Sequence, residues 1–499
     1  MKKIFLTALL CVSFALTQAQ NADFPLMFSQ YGMNGTANYL GKAGAIGALG
    51  GDIMSANYNP AGLGLYRTSE LTLSMGLDYN STKSISGDVT AKDSYPAFNY
   101  GNLGLVLAFN VPKKSDWKVI QLSFGLNRLM NFNNRIKASR KNLNRSYIDA
   151  NYVNFFDRDM DGVLDAPYEI TGDDYNVMKE EDFFRSGVIG VESDYSLTSD
   201  FFNGSFDQII GLRESGYLNE FTMSLSGNFK NMLYLGATIG VPFGSYTSKY
   251  LFSESVTNAS VSGLKYNYNT EQNLSVTGLN LKLGAIIKPV SFFRIGGAIH
   301  TPTFYSVDDD FYQEVSYTRT SGGWFNPITY RMQSPWRFIG SGAFVLGSSK
   351  SKVSGTLSFD YEYADYSSMS FDLENNIDAE NSLNTDLENS FTGANTIRVG
   401  AEIKLERLYL RAGYANYGSP FKNTDLHGGD WNYVTFGVGY KGNSCFFDLA
   451  YVYGKQKSYY YPYSEYELDN NNIGHYYLTS STEVNRSKNL IQATIGFRF

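Results

Sequence analysis

The chain has 499 residues, of which 18% are charged and 16% are aromatic, with 48 glycines and a formal net charge of −7. Few charges and many aromatic residues exclude a disordered chain, and the negative charge argues against nucleic acid as a partner. Two cysteines are too few for a small fold held together by disulfides.

The first residues have the pattern of a secretory signal peptide. Two basic residues, Lys2 and Lys3, precede an apolar run over 4–16 and small residues that suit a cleavage site. The apolar run is shorter than the ~20 residues that a membrane-spanning helix needs. The sequence therefore predicts a leader over 1–19 that is removed on export.

Residues 20–66 lack the alternation of a strand and are rich in glycine and alanine. Small residues permit close packing and tight turns, and an Asn-Pro pair followed by glycine marks a turn. The pair here is Asn59-Pro60. We expect residues 20–66 to form a compact plug, packed inside the structure that the rest of the chain makes.

From residue 67 to the end, apolar residues alternate with polar residues or glycine. In 232–241 the odd positions are apolar and the even positions are mostly small or polar. A period of two is that of a β-strand, whose side chains point alternately to two faces. We count about fourteen such strands, the even number typical of bacterial outer-membrane barrels. They cover 69–79, 99–110, 117–137, 218–230, 232–254, 264–288, 291–318, 329–347, 352–373, 394–405, 407–417, 431–441, 444–463 and 486–499.

The connections between these strands alternate between short and long. Among the long connections are 80–98 and, the longest, 138–217. Transmembrane β-barrels have short periplasmic turns and long extracellular loops, and an even strand number returns both chain ends to the periplasm. The sequence predicts an all-β, antiparallel transmembrane barrel over 67–499, with the plug (hatch) in its lumen. A soluble β-sandwich is the alternative, although ~100 residues is the usual size of such a domain.

Charged residues recur on the strand faces predicted to point inward. A basic residue on the lipid face costs ~2–4 kcal/mol at the bilayer midplane, so these side chains are expected in the lumen. Their mixed signs favour salt-bridge networks over an open ion pore. The main candidates are Arg294, Asp360, Glu362, Arg398, Glu402 and Arg411, and others at inward positions are Arg128, Glu220, Lys282, His300, Asp448 and Arg498.

The last strand is amphipathic and ends on an aromatic residue. Phe497 and Phe499 share a face with Ile491, Ala493 and Ile495. This ending looks like the signal that the barrel-assembly machinery of Gram-negative bacteria recognises, which predicts a location in the outer membrane, in contact with its lipids.

The segment 41–62, ending in Asn59-Pro60-Ala61-Gly62, resembles the hatch of the FadL/TodX-type outer-membrane transport proteins. The stretches 216–240 and 359–363 look like the Bacteroidetes branch of that group. The sequence contains no nucleophile elbow, zinc-ligand spacing or P-loop, so we expect no enzymatic activity and no required cofactor. The resemblance implies a channel for passive uptake of hydrophobic small molecules such as long-chain fatty acids. The hatch residues it implies are Gly41, Gly44, Gly47, Asn59, Pro60, Ala61 and Gly62.

Two other functions remain open from the sequence. Some members of the Bacteroidetes branch are labelled haemin receptors, which would place His427 or His475 as iron ligands in outer loops. Glycine-rich starts with Asn-Pro-Ala also occur in PorV-like barrels, which are non-transporting partners of a secretion apparatus.

An acidic stretch in the longest connection partly matches a calcium-binding loop. It has carboxylates at loop positions 1, 3, 5 and 9, whereas position 12 is Tyr168 and the glutamate follows one place later. A plain acidic turn is the alternative. The candidate ligands are Asp157, Asp159, Asp161, Asp165 and Glu169.

Overall fold

Fourteen antiparallel strands form a closed barrel, in which the last strand pairs with the first. The computed structural model describes residues 23–112, 114–151, 182–191, 197–257, 263–325, 327–347, 352–374, 376–468 and 474–499. Its closure confirms the predicted antiparallel barrel. The described strands number more than fourteen, because some wall strands are broken into shorter ones and two pairs of short strands form separate two-stranded sheets. The strands are β1 (Glu70–Ser86), β2 (Val89–Asn110), β3 (Trp117–Asn131), β4 (Asn134–Leu143), β5 (Gly190–Val191), β6 (Leu197–Thr198), β7 (Phe206–Phe229), β8 (Leu233–Val256), β9 (Lys265–Val290), β10 (Phe293–His300), β11 (Phe304–Ser316), β12 (Thr320–Trp324), β13 (Ile328–Gln333), β14 (Arg337–Leu346), β15 (Val353–Asp365), β16 (Ser370–Asp372), β17 (Gly393–Leu405), β18 (Leu408–Tyr417), β19 (Gly428–Lys441), β20 (Cys445–Tyr460), β21 (Ser464–Leu468), β22 (Gly474–Leu478) and β23 (Thr482–Arg498).

The helices are short. None within the described ranges is long and apolar enough to cross a membrane. They are α1 (Asp23–Ser29), α2 (Ala37–Leu40), α3 (Ser55–Tyr58), α4 (Tyr147–Asn151), α5 (Ile377–Ser390) and α6 (Thr424–His427), with 3-10 turns at Pro60–Leu65 and Tyr366–Ser368.

The two faces of the wall differ as the alternation predicts. On β8 the outward side chains of Leu235 and Ile239 are 41% and 45% exposed, whereas the inward Tyr234 and Thr238 are buried. The same contrast recurs along the wall strands and gives the barrel an apolar outer band around a largely polar interior. A continuous apolar outer band with a polar lumen is characteristic of transmembrane barrels.

The predicted loop over 80–98 is wrong. Strands β1 and β2 pair through this stretch up to Ser86 opposite Val89. They are joined by a tight turn in which Gly87 has a φ of +56°. Both strands here extend past the apolar band, so most of their outward positions are polar and the apolar alternation that marks a strand disappears.

The long ends of β7, β8 and β9 carry a second, largely aromatic core. Phe183, Phe206 and Phe252 are buried in it together with Tyr266. One carboxylate lies inside this core: Glu254 accepts hydrogen bonds from Gln208 Nε2 (2.6 Å) and from the Tyr266 hydroxyl (2.9 Å). The outward face of β8 is apolar up to Phe243 and polar from Ser245 to Lys249, so Glu254 lies beyond the apolar band.

Burial raises the pKa of the Glu254 carboxyl to about 7, against about 4.3 in an unfolded chain. Because the folded state binds this proton more tightly, the stabilisation is complete below about pH 4 and is lost as the pH rises towards 7. Hydrogen exchange of the peptides 206–212 and 250–256, corrected for intrinsic rates, should therefore be faster at pH 8 than at pH 5. Glu254→Gln should flatten this dependence, whereas Glu271→Gln, at an ion pair with Lys249, should not. An unchanged dependence in the Glu254 variant would contradict the assignment.

Candidate functional site: the lumen and the N-terminal segment

Residues 23–66, here called the N-terminal segment, lie inside the barrel. The Ala37 amide donates to Thr494 Oγ1 on β23 (2.7 Å), and the Gly47 amide to Asp360 Oδ2 on β15 (2.9 Å). Asn57 Nδ2 donates to Glu220 Oε2 on β7 (2.5 Å). Because these three strands are spread around the circumference, the segment crosses the lumen from wall to wall.

The Asn59-Pro60-Ala61 sequence forms the start of a 3-10 turn. The Asn59 side chain caps it, with Oδ1 accepting from the Ala61 amide (3.2 Å). Pro60 stands at the first position, where its missing N–H is no loss. Asn59 Nδ2 donates to the carbonyl oxygens of Gly47 (2.7 Å) and Ala285 (3.3 Å). One asparagine thus connects the turn, the rest of the segment and strand β9.

A pair of glycines in the wall makes room for this turn. Gly236 on β8 and Gly284 on β9 are direct cross-strand partners. A Cβ at Gly236 would lie 2.3 Å from the Pro60 carbonyl carbon, and one at Gly284 would lie 2.0 Å from Asn59 Oδ1. The sequence analysis did not identify this pair of glycines as a contact site, although both occupy inward positions of neighbouring strands in the alternation.

The predicted hatch glycines are also at close contacts. Gly41 packs against Gly437 of β19, because a Cβ added at Gly41 would lie 3.1 Å from the Gly437 Cα. A Cβ at Gly47 would lie 2.0 Å from Ser341 Oγ of β14. Gly44 has a φ of +79°, and Gly62 donates its amide to the Asn59 carbonyl oxygen (2.9 Å).

Two arginines share one carboxylate in the middle of the lumen. Arg337 Nη1 and Arg398 Nη2 lie 2.5 and 2.7 Å from the two oxygens of Glu362, and all three side chains are buried. Arg398 also lies over the ring of Tyr58, 5.2 Å from its centroid, and Arg337 donates to the Ser29 carbonyl oxygen. The two arginines of this triad therefore contact the N-terminal segment at two places that are far apart in its sequence.

The six predicted lumen charges all lie inward, but they do not form one network. Arg411 bridges Glu402 and Asp448, each at 2.6 Å. Arg294 donates to the Leu49 carbonyl oxygen (2.7 Å), and Asp360 accepts from the Gly47 amide. The sequence missed Arg337, because both parities around residues 336–346 are partly apolar and its inward direction was not readable.

A buried ion pair makes a further polar contact with the segment. Lys282 Nζ is bonded to Glu220 Oε2, and both side chains are fully buried. Asn280 Nδ2 donates to the other oxygen of Glu220 (2.8 Å). Asn57 of the N-terminal segment shares Oε2 with the lysine. The segment is thereby tied to β7 through a charged group.

Helix α1 lies in an apolar half of the lumen. Its residues Phe24, Leu26 and Phe28 belong to one buried apolar cluster with residues of β7, β8, β9, β11, β13 and α5. The Phe28 ring packs edge-on against Phe132 with centroids 5.3 Å apart, and lies 6.2 Å from the Tyr305 ring. The lumen thus has an apolar half, which the protein fills with its own side chains, and a half around the Asn59 turn that holds the charged groups. We call the second one the polar half, although smaller apolar clusters also lie in it.

One strand of the wall is interrupted beside this apolar half, although the Phe132 amide still donates to the Gly216 carbonyl oxygen of β7 (3.1 Å). Strands β3 and β4 are separated at Phe132 and Asn133, and the pairing of β3 with β7 shifts register between Arg128 and Met130. The Gly32 amide of the N-terminal segment donates to the Leu129 carbonyl oxygen at this point (2.9 Å).

The remaining predicted sites are placed as follows. His300 is buried with Nε2 2.9 Å from the Tyr58 carbonyl oxygen, and His427 stacks on Phe421. Phe497 and Phe499 are exposed on the outer face, by 54% and 70%. The described residues contain no group of three or more His, Cys, Asp or Glu side chains that could hold a metal. The side chain of His475 and the candidate calcium ligands Asp157, Asp159, Asp161, Asp165 and Glu169 lie outside the described residues.

No family model and no curated protein matches the sequence. Several solved structures share the fold, and two of them have the following similarity. A FadL homologue from Pseudomonas aeruginosa superimposes with a TM-score of 0.54 at 13% identity, covering 94% of this chain and 100% of its own. The toluene transporter TodX from P. putida superimposes with a TM-score of 0.53 at 12% identity, covering 94% of this chain and 99% of its own. At these identities the likeness establishes a common barrel architecture, and the Bacteroidetes branch stays a prediction.

Proposed function

We propose that the protein is an outer-membrane channel for the passive uptake of hydrophobic small molecules, and that residues 20–66 are its hatch. The observation that carries the proposal is the apolar half of the lumen, which holds Phe24, Leu26 and Phe28 of the protein itself. A chamber of this kind suits an apolar solute as well as it suits α1. The name of one structural neighbour, the toluene transporter TodX, supports hydrocarbons as a substrate class, and long-chain fatty acids are proposed from the same chemistry.

In this proposal a solute takes the place of α1. The helix has seven residues, and its links to the wall include the Tyr305 hydroxyl to the Phe28 carbonyl oxygen (3.2 Å) and Arg337 to Ser29. Burying a solute of similar apolar area would compensate for the contacts that α1 gives up, at roughly 25 cal/mol per Å². Binding in the apolar half and release of the N-terminal segment would then be one event.

The exit that demands least contact with polar groups is the interruption between β3 and β4. This interruption borders the apolar half through Phe132 and Leu129. A route to the end of the barrel with the short turns would instead pass the charged groups around the Asn59 turn. We propose that a solute leaves sideways through the interruption, towards the bilayer. Passage through the polar half, past a displaced hatch, is the alternative.

The test is uptake by cells that lack other importers and express the protein. Labelled oleate and toluene should enter faster than in cells without the protein, while a small hydrophilic dye should not. Equal uptake with and without the protein would contradict the channel function and favour a secretion partner. A haemin titration followed by absorbance addresses the receptor alternative, which requires a shift of the Soret band.

Phe28→Ala should increase the rate of oleate uptake several-fold. Losing a buried aromatic ring costs about 3–5 kcal/mol of packing, which here loosens α1 against Phe132 and Tyr305. Phe436→Ala is the matched control, because Phe436 is 55% exposed on the outer face of β19. Initial uptake rates, at equal amounts of folded barrel, measure the effect. Identical rates for both variants would show that α1 does not limit entry.

A further inference from the structure

Lysines cluster on the outer face of the barrel near the distal ends of three wall strands. Lys83 on β1 is the cross-strand partner of Lys92 on β2. On its other edge, β1 pairs with β23, where the cross-strand partner of Lys83 is Asn485. Asn485 is in turn the cross-strand partner of Lys457 on β20. Lys455 lies one outward position earlier on β20, and all four lysines are exposed. We call Lys83, Lys92, Lys455 and Lys457 the lysine patch.

The height of the patch matches that of lipid head groups. Tyr79 and Tyr453 flank Asn489 in the same cross-strand row and lie at the top of the apolar band. Lys455 follows Tyr453 by two residues and Lys83 follows Tyr79 by four, which is roughly 7 and 14 Å along strands that are tilted to the membrane normal. Head groups occupy about 5–8 Å beyond the hydrocarbon core on each side. At a strand tilt of about 40° these distances are roughly 5 and 11 Å along the normal, so Lys455 is level with the head groups and Lys83 lies just above them, where its long side chain can reach them.

The surface between these lysines is concave and offers further donors. A cavity of about 760 Å³ is lined by Lys83, Lys455 and Lys457 together with Ser81, Ser487 and Asn432. Three acidic groups are close by, and two of them, Asp425 and Asp430, line the same cavity. Asp430 accepts from the Ser419 amide (2.6 Å), and Glu483 lies 2.8 Å from Lys457 Nζ.

We propose that the lysine patch binds the phosphate groups of a phosphorylated glycolipid in the outer leaflet of the membrane. Cations at head-group level, hydroxyl and amide donors between them, and an apolar band directly below suit an anionic amphiphile rather than a soluble anion. What distinguishes the patch is the number of lysines, because Lys457 is paired with Glu483 (2.8 Å) just as Lys249 on β8 is paired with Glu271 of β9 (2.8 Å). The proposal adds a lipid site on the outer wall to the channel proposed for the lumen.

Lipid retention tests the site. Wild-type protein and the variant Lys83→Gln/Lys455→Gln/Lys457→Gln are placed in phosphatidylcholine nanodiscs that contain diphosphorylated lipid A, and the lipid kept after release is counted by native mass spectrometry. We expect the variant to retain at least five times less lipid A than the wild type. Lys249→Gln, an exposed outward lysine on another part of the wall, should behave as the wild type, and the triple arginine variant should retain the lipid.

Two results would overturn the proposal. One is equal retention by the wild type and the glutamine variant, with both shown to be folded by their heat-modifiable migration. The other is equal retention of dephosphorylated lipid A by the wild type. Oleate uptake is measured with the same purified proteins after they are reconstituted into liposomes. Because the patch is outside the lumen, uptake should be unchanged, so the lipid site and the channel function can fail independently.

Discussion

Liposomes carrying the Gly284→Val protein are expected to leak a small hydrophilic dye about ten times faster than those with the wild type. A side chain at position 284 would enter the space of Asn59 Oδ1, 2.0 Å from the new Cβ, and of Pro60 Cδ, at 3.0 Å. The Asn59 cap must then shift, and losing a cap costs about 0.5–2 kcal/mol. A difference of about 1.4 kcal/mol changes the ratio of seated to unseated segments tenfold.

Gly340→Val is the matched control for this variant. Gly340 is on the outer face of β14, and a Cβ there would meet nothing within 4 Å. Dye release should then stay at the wild-type rate. If Gly284→Val also left dye release unchanged, with its barrel folded, the Asn59 turn would not be what closes the polar half of the lumen.

Glu362→Ala should lower the temperature at which the barrel unfolds by several degrees. The substitution leaves Arg337 and Arg398 in the lumen without the carboxylate that they share at 2.5 and 2.7 Å. Removing one partner of a buried ion pair typically costs about 3–5 kcal/mol, because an uncompensated charge remains. Loss of heat-modifiable migration on gels, followed against temperature, measures the effect.

An exposed ion pair provides the comparison. Glu374 lies 2.5 Å from Arg331, yet its side chain is 63% exposed. Exposed pairs contribute about 0–1 kcal/mol, so Glu374→Ala should hardly move the transition. Equal shifts in the two variants would mean that the triad does not stabilise the folded barrel.

Much of the fold could be predicted because a bilayer imposes a strict pattern on a barrel wall. Within the apolar band every outward residue must be apolar, so strands such as β8 are readable from their alternation. Beyond the band this requirement ends, which is why the paired stretch around Gly87 resembles a loop in sequence. The position of Arg337 was lost for a related reason, since an apolar residue also suits an inward position against the N-terminal segment.

The site was predictable in its residues more than in its contacts. Asn59 and Pro60 were recognisable from their local turn chemistry, which depends on neighbours in the chain. Their seat on Gly236 and Gly284 depends on cross-strand register, which connects residues far apart in sequence. The same holds for Glu362, whose two arginine partners come from β14 and β17.

The most direct test of a gated apolar channel is oleate uptake by liposomes that carry Gly47→Cys/Ser341→Cys in a Cys445→Ala background. An ideal Cβ at position 47 lies 3.0 Å from the Ser341 Cβ, so a disulfide between them needs only a small outward shift to reach the usual ~3.8 Å. Oxidation would then tie the N-terminal segment to β14. We expect uptake well above that of protein-free liposomes under reducing conditions, a drop to the protein-free level on oxidation, and recovery with reductant. Equal uptake in the oxidised and reduced states, or none above protein-free liposomes, would contradict the account.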